Sequence, residues 1–392
     1  MKNNKFALSG GDAFFPQALP VGQLYFPSWD RYKAAMRGIF ERRYYTNQGP
    51  LVQQLEGRLQ DYLGVKHAIC ITNATIGLMM AAEALELSGK VIVPSYTFSW
   101  AGIEPVFCDV DPSTHQIAID KLDSLIDPHV SGIMGVNLWG GACDVLALEN
   151  YAKSKNLKLY FDSAHAFGCV VDEKKIANFG SIEVFSFHAT KVLSATEGGC
   201  ICTNDDVLAS RLRNIRSSYG AGKIVPVVKT SNGRMSEAQA AIALMSLDDF
   251  PDNQKNNENL FRTYMERLKH IPGIKLVKPA GVTFSNYQYV VCEIQKTTFG
   301  LSRDSLVKVL NAENVMARRY FYPGAHRTTG YNDSLSLYEY SLPVTDYLCD
   351  ACIQLPIGAM VDTNAVASIC KIIENSHRNA DYLQSFLIEN KK

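Results

Sequence analysis

The sequence predicts an α/β protein with a mostly parallel sheet and helices on both faces. Two observations predict it. Short β-type runs alternate with helix-length apolar segments from about residue 50 to about residue 245, the pattern of strands joined by helical crossovers. Several of those runs also end in hydroxyl, acidic or basic residues. Open α/β sheets bind ligands outside the carboxyl ends of their strands. At 392 residues, 47% of them hydrophobic, the chain is long enough for two domains. The expected division is a large domain over residues 1–250, with an N-terminal arm, and a smaller α+β domain over 251–392.

The elements follow in order. Cys70-Ile71-Thr72 closes a strand, Asn73-Ala74-Thr75 forms a cap cluster, and Ile76 to Leu85 makes an apolar helix. Asparagine and threonine suit a helix start because their side chains accept free amides. Val91–Pro94 and Pro105–Val110 read as parallel strands. Leu157 to Asp162 is a strand that delivers Asp162 and His165 at its end. Val184 to Phe187 is another, followed by His188-Ala189-Thr190-Lys191, the Gly198-Gly199 turn and a second run, Cys200 to Thr203. Ser236 to Leu247 is a strong helix, and the polar stretch Asp252 to Asn259 opens a long one. Beyond it, Tyr287 to Ile294 is strand-like, Leu306 to Asn311 helical, and Ala365 to Ile373 begins a terminal helix. No tandem repeat or low-complexity segment interrupts the pattern.

Composition excludes several function classes. The 39 basic and 39 acidic residues balance, so no basic field exists for nucleic acid or an anionic membrane. No apolar run approaches the ~20 residues of a membrane helix, and no signal-peptide core follows Met1-Lys2-Asn3-Asn4-Lys5. The ten cysteines are scattered, many in apolar strands. Reduced, core-filling cysteine of this kind points to the cytoplasm. Cys349 and Cys352 form a lone CxxC that reads as helix packing at i,i+3, with no metal site.

The chemistry centres on Lys191. A lysine at the mouth of a buried sheet is costly unless neutralised or bonded. Strand-end lysines are common, so the position alone decides little. A chemical reason for one is a Schiff base with an aldehyde, most often pyridoxal 5'-phosphate. That cofactor needs a carboxylate beside its pyridine nitrogen, and Asp162 stands at a strand end. It also needs an anion site, and the helix opening at Ala74 and Thr75 offers free amides and a hydroxyl. Together the three are far more specific than any one of them.

The chain resembles the DegT/DnrJ/EryC1/StrS family of nucleotide-sugar aminotransferases from about Tyr45 to its C-terminus. The resemblance rests on Thr46-Asn47-Gln48-Gly49-Pro50, Val91-Ile92-Val93-Pro94-Ser95-Tyr96-Thr97-Phe98, Phe161-Asp162-Ser163-Ala164-His165-Ala166, Ser186-Phe187-His188-Ala189-Thr190-Lys191, Glu197-Gly198-Gly199 and Asn232-Gly233-Arg234-Met235-Ser236-Glu237. It implies the type I fold of pyridoxal-phosphate transferases. Lys191 would carry the cofactor and shuttle the proton. Asp162 would pair with the pyridinium nitrogen, and His165 would contact the phenolic oxygen or stack near it. Phe98 would cover the ring face. Ala74, Thr75 and Ser186 would form the phosphate cup, completed by Asn232 of a neighbouring subunit, which implies a homodimer with shared sites. Asn47, Tyr322 and His326 would line the sugar site. The implied reaction moves an amino group from L-glutamate to a nucleotide-linked keto-deoxysugar, first choice a dTDP-4-keto-6-deoxyhexose. A dehydratase of the same cofactor, or a non-catalytic protein retaining the fold, stays open.

One departure from that family stands out. Only Ser95 to Glu104 join two strands expected to be parallel, whereas a parallel crossover normally takes a dozen residues or more. Some seven residues of helix are absent relative to the family. The sequence therefore predicts a discontinuity or an unusual connection directly after Phe98.

Overall fold

The computed structural model describes residues 6–95, 103–217, 219–328 and 341–389. Among them, a seven-stranded sheet and a four-stranded sheet organise the chain. The arm leads into α1 (Trp29–Arg42) and α2 (Pro50–Leu63). Proline suits the first turn of α2 because its missing N–H is unpaired there in any helix. The next two amides, of Leu51 and Val52, donate to the carboxylate of Glu237 at 3.0–3.1 Å.

The large sheet takes β1 (His67–Ile71), β2 (Lys90–Pro94), β3 (Glu104–Cys108), β4 (Val130–Val136), β5 (Lys158–Asp162), β8 (Ile182–Ser186) and β9 (Gly199–Thr203). A small ribbon, β6 (Val170–Val171) and β7 (Lys174–Lys175), projects between β5 and β8 in sequence. The spatial order is β1-β9-β8-β5-β4-β2-β3. Pairs β8–β5, β5–β4, β4–β2 and β2–β3 are parallel, and β9 runs against both of its neighbours. The carboxyl ends of β1, β4, β5 and β8 therefore share one rim. β2 and β3 are adjacent and parallel as expected. The predicted irregular connection after Phe98 lies outside the described residues.

Side-chain alternation divides the sheet into two apolar faces. In β1, Ala68 and Cys70 enter one core and Ile69 and Ile71 the other, the period-2 geometry of a strand. The first core is completed by α2, α4 (Val145–Ser154) and α6 (Glu237–Asp248), the second by α3 (Ala74–Ala84) and α5 (Asp206–Arg216). A reciprocal bond between Ser236 and Gln239 starts α6, the capping box its sequence spells.

The long helix α7 (Phe250–Leu268) passes to the second sheet, ordered β10 (Ile274–Leu276), β11 (Val290–Ile294), β13 (Cys352–Leu355), β12 (Arg318–Arg319), all antiparallel. It packs with α7 and the helices Arg303–Ala312 and Thr363–Arg378 around a separate core. The sequence reading places the arm with residues 1–250, yet Phe6, Leu8, Phe15 and Leu19 pack on this smaller core. The amides of Ala7 and Phe14 donate to Glu313 at 2.8 and 2.9 Å. Apolar residues in the arm find their burial across the chain, which local pattern does not reveal.

Two further expectations meet the structure here. All ten cysteines are free and buried. Cys349 sits on the helix Pro343–Ala351 but Cys352 opens β13, so the pair does not share a helical face. Among the described residues, no helix is long and apolar enough to cross a membrane.

Candidate active site

Most of the site residues stand where strands of the large sheet end. β1 stops at Ile71, and Asn73 caps α3 by accepting the Ile76 amide at 2.9 Å. The amides of Ala74 and Thr75 precede any intrahelical partner and face outward at the helix start. Gly199 makes their position possible. A Cβ on Gly199 would sit 2.6 Å from the Phe185 carbonyl oxygen and 3.1 Å from the Ala74 nitrogen, so any side chain there would push the helix start off the sheet.

β5 delivers Asp162, whose carboxylate accepts the Ala164 amide at 3.1 Å. β8 delivers Ser186, and the following turn, closed by Lys191 N–H to the His188 carbonyl at 2.9 Å, carries Lys191 back over the rim. A cavity of about 190 Å³ is lined by Ala74, Thr75, Asp162, His165, Ser186 and Lys191, with Asn137, Tyr320 and Phe321. It adjoins a wider cavity of about 720 Å³ that shares Ala74, Thr75, Ser186, Lys191 and Tyr320 and adds Asn73, His188, Glu197 and Arg318.

Burial sets the protonation states. Lys191 is only 8% exposed. Burial lowers its ammonium pKa, partly opposed by Tyr320 and Asp162, and a more neutral amine is a better nucleophile. His165 is buried, and burial and then the Lys191 charge push its pKa well below the usual imidazole range. Its ring is neutral, and its Nδ1 has no partner among the described residues. A buried, unpaired ring nitrogen is costly in isolation, and His165 is a residue of the cavity lining. The ring lies near-parallel to Phe321, 6.2 Å away and tilted 9°, and edge-on to Tyr289 at 4.7 Å.

Six of the residues singled out in the sequence thus meet at one cavity: Ala74, Thr75, Asp162, His165, Ser186 and Lys191. Others do not. Phe98 lies outside the described residues. Asn232 is exposed beside the end of β1, where Thr72 N–H bonds the Gly233 carbonyl at 2.9 Å, and it lines neither cavity of its own chain. Asn47 sits before α2 with a left-handed φ of 60°, away from both cavities. Tyr322 turns out to solvent, stacked under Arg319 at 4.5 Å. His326 is tied between the Ser95 hydroxyl and Asp346, at 2.5 and 2.9 Å. In the segment Arg318–His326 it is Tyr320 and Phe321 that reach the cavity. Sequence reasoning also missed Asn137 and Tyr289. For Tyr289 the available signal was a tyrosine on a run read as strand-like, since a tyrosine hydroxyl that becomes buried seeks a partner.

Solved structures share this fold. The chain superposes on DesI, determined in the presence of its TDP-sugar product, with a TM-score of 0.90 at 35% identity, covering 97% of this chain and 98% of that one. On a Brucella abortus aminotransferase of the DegT, DnrJ, EryC1 and StrS type it scores 0.79 at 28% identity, covering 89% and 95%. The molecule is thus an α/β enzyme of the aminotransferase class. The model of the DegT/DnrJ/EryC1/StrS aminotransferase family matches residues 30–374, and the chain belongs to that family. Among curated relatives is the dTDP-4-amino-4,6-dideoxy-D-glucose transaminase of Shigella dysenteriae, 35% identical over 77% of this chain and 84% of the relative. The Escherichia coli enzyme of the same name is 29% identical over 91% and 98%.

Proposed function

We propose that the chain is a pyridoxal-phosphate-dependent transaminase moving the amino group of L-glutamate to the C4 keto group of a dTDP-linked 4-keto-6-deoxyhexose. The carrying observation is the buried Lys191 amine, opposite Asp162 and beside the α3 amides, in one cavity. Those residues fit the cofactor. An aldehyde suits the amine, a pyridine nitrogen suits the carboxylate, and a phosphate suits the helix start with the Thr75 and Ser186 hydroxyls. The unpaired Nδ1 of neutral His165 suits a polar substituent of the ring. When bound, the cofactor supplies the electron sink that lets the amino group change carbon.

The protein's own residues do the rest. Asp162 would hold a proton on the ring nitrogen of the bound cofactor. Lys191 Nζ, as the free amine, would take a proton from the donor α-carbon and give one back, so the amine would end as it began. The wider cavity, with Arg318 at its mouth, leaves room for a nucleotide-linked sugar, since guanidinium groups match diphosphate oxygens. The choice of dTDP and C4 follows the two transaminase relatives. The active form is a homodimer in which Asn232 enters the partner's site, and the ten free cysteines suit a reducing cytoplasm.

The test is spectroscopic. Purified protein should show a near-visible band that L-glutamate removes and that a matching keto-sugar nucleotide restores. Screening dTDP-, UDP- and GDP-linked sugars for that restoration identifies the acceptor. A protein with no such band in excess cofactor, and no labelling of Lys191 after borohydride reduction, refutes the reading. A dehydratase is disfavoured because the family's dehydratases replace the lysine.

A further inference from the structure

A buried hydroxyl in contact with Lys191 has no part in the mechanism above. Tyr289 enters the site from the second sheet, directly before β11 and 98 residues from Lys191 in sequence. It is 3% exposed, and Lys191 Nζ donates to its hydroxyl oxygen at 3.2 Å. The His165 ring meets its face edge-on at 4.7 Å.

Its position is held by its neighbours in sequence. The Gln288 side-chain oxygen accepts the Val192 amide at 3.0 Å. The Asn286 side-chain amide donates to the carbonyls of His165 and Phe167 at 3.1 and 3.0 Å, and its oxygen accepts the Gln288 amide at 2.9 Å. The segment Asn286–Tyr289 is therefore pinned at once to the loop carrying Lys191 and the loop carrying His165. That is preorganisation of a reacting group by side chains that do not react themselves.

We propose that Tyr289 is a catalytic residue that holds the Lys191 amine whenever it is free, orienting Nζ for proton transfer and stabilising its ammonium form by accepting its N–H. This role rests on the proposed cofactor only for its timing, since the hydrogen bond stands without cofactor. Burial raises the Tyr289 hydroxyl to about 12, so it stays neutral and never competes for the proton. The lysine carries one proton from the donor carbon and delivers one to the cofactor, while the tyrosine gains and loses nothing. The other charged or titratable groups facing Lys191 are Asp162, His165 and Tyr320 in the inner cavity, and His188, Glu197 and Arg318 in the outer one. All six remain in Tyr289→Phe, and the three that also interact with Tyr289, namely His165, Tyr320 and Arg318, keep their ring or charge neighbours.

A hydrogen bond that favours a charged form raises the pKa of an amine. Removing the acceptor therefore lowers the pKa of Lys191. In cofactor-free protein, the pH dependence of Lys191 labelling by trinitrobenzenesulfonate, read by peptide mass spectrometry, should move to lower pH in Tyr289→Phe by about half a unit or more. In the loaded enzyme, kcat should fall about tenfold to a hundredfold, with KM for glutamate changing less than about threefold. The acid limb of kcat should move down with the labelling midpoint. Should Tyr289→Phe fold poorly, replacing the residue with 3-fluorotyrosine weakens the acceptor without changing the packing and should move the midpoint the same way. An unmoved or raised midpoint overturns the proposal, as does unchanged kcat, and so does a loss of kcat traced only to a lower melting temperature. A lowered midpoint in a protein that binds no pyridoxal phosphate would overturn the cofactor reading instead and leave the pair standing.

Discussion

The Glu183 carboxylate, fully buried in β8, accepts the Ser163 hydroxyl at 2.5 Å directly behind Asp162. Its second oxygen accepts the amides of Ala177 and Phe179 at 2.8 and 2.9 Å, and Ser163 in turn accepts the Asn137 amide at 2.9 Å. The network fixes the turn after Asp162 from below. Burial raises the Glu183 carboxyl to about 7, despite those donors.

That shift has a definite sign. A carboxyl whose folded pKa is raised binds its proton more tightly in the native state. Its stabilising share is full below about 4.5 and is lost as pH rises through about 7. Glu183→Gln, which stays neutral, should therefore lose less stability than wild type between pH 4.5 and 7.5, by roughly 2–3 kcal/mol at most. Urea unfolding at the two pH values measures it, and parallel slopes in both proteins would contradict it. Glu183→Ala should cost about 2–5 kcal/mol at either pH, since it strands several buried donors.

His165 behaves in the opposite sense. Its pKa is lowered by burial and then by Lys191, so the folded state resists a proton the unfolded chain accepts. Stability from this group is present above about 6.5 and drains as pH falls below it, at up to about 1.4 kcal/mol per pH unit. Melting of cofactor-free His165→Gln should be flatter than wild type from pH 7.5 to 5.5. Equal curves would mean that the imidazole takes its proton without penalty.

Asp162→Asn should fold and bind cofactor yet lose about a hundredfold or more in turnover. The amide cannot hold a proton on the ring nitrogen. Lys191→Ala should lose the near-visible band altogether. Near-normal transamination by either variant would show that another residue carries the role.

Asn232 tests the shared site. Lys191→Ala and Asn232→Ala homodimers should each be impaired, and mixed dimers should recover part of the activity, because one of the two sites in each is intact. Sedimentation must show a dimer. Full activity in a monomer would refute the arrangement.

Glu237 supports the helix that leads into the large sheet. Its buried carboxylate accepts the Leu51 and Val52 amides across more than 180 residues of sequence. Glu237→Ala should destabilise the protein by about 1–3 kcal/mol, read as a lower urea midpoint. An unchanged midpoint would mean that water replaces the carboxylate at no cost.

The legible part of this protein is the part written in consecutive residues. The strand ending at Asp162, the turn carrying Lys191 and the cap at Asn73 and Thr75 each combine an apolar run with its own terminator. Their chemistry could be named from sequence because parallel strands bring their carboxyl ends to one rim whatever lies between them. The helix α6 was legible for the same local reason.

Tertiary structure decided what comes from afar. Tyr289, Asn137, Tyr320 and Phe321 reach the site from other strands and from the second sheet, and no spacing rule links them to Lys191. The choice of Tyr320 and Phe321 over Tyr322 and His326 depends on how the chain leaves β12, which lays the first two against the cavity and leaves Tyr322 under Arg319 and His326 tied to Ser95 and Asp346. Residue by residue, the sequence determined which groups can do chemistry. Which of them share one desolvated cavity, with what protonation, was set by burial, and burial belongs to the packed molecule as a whole.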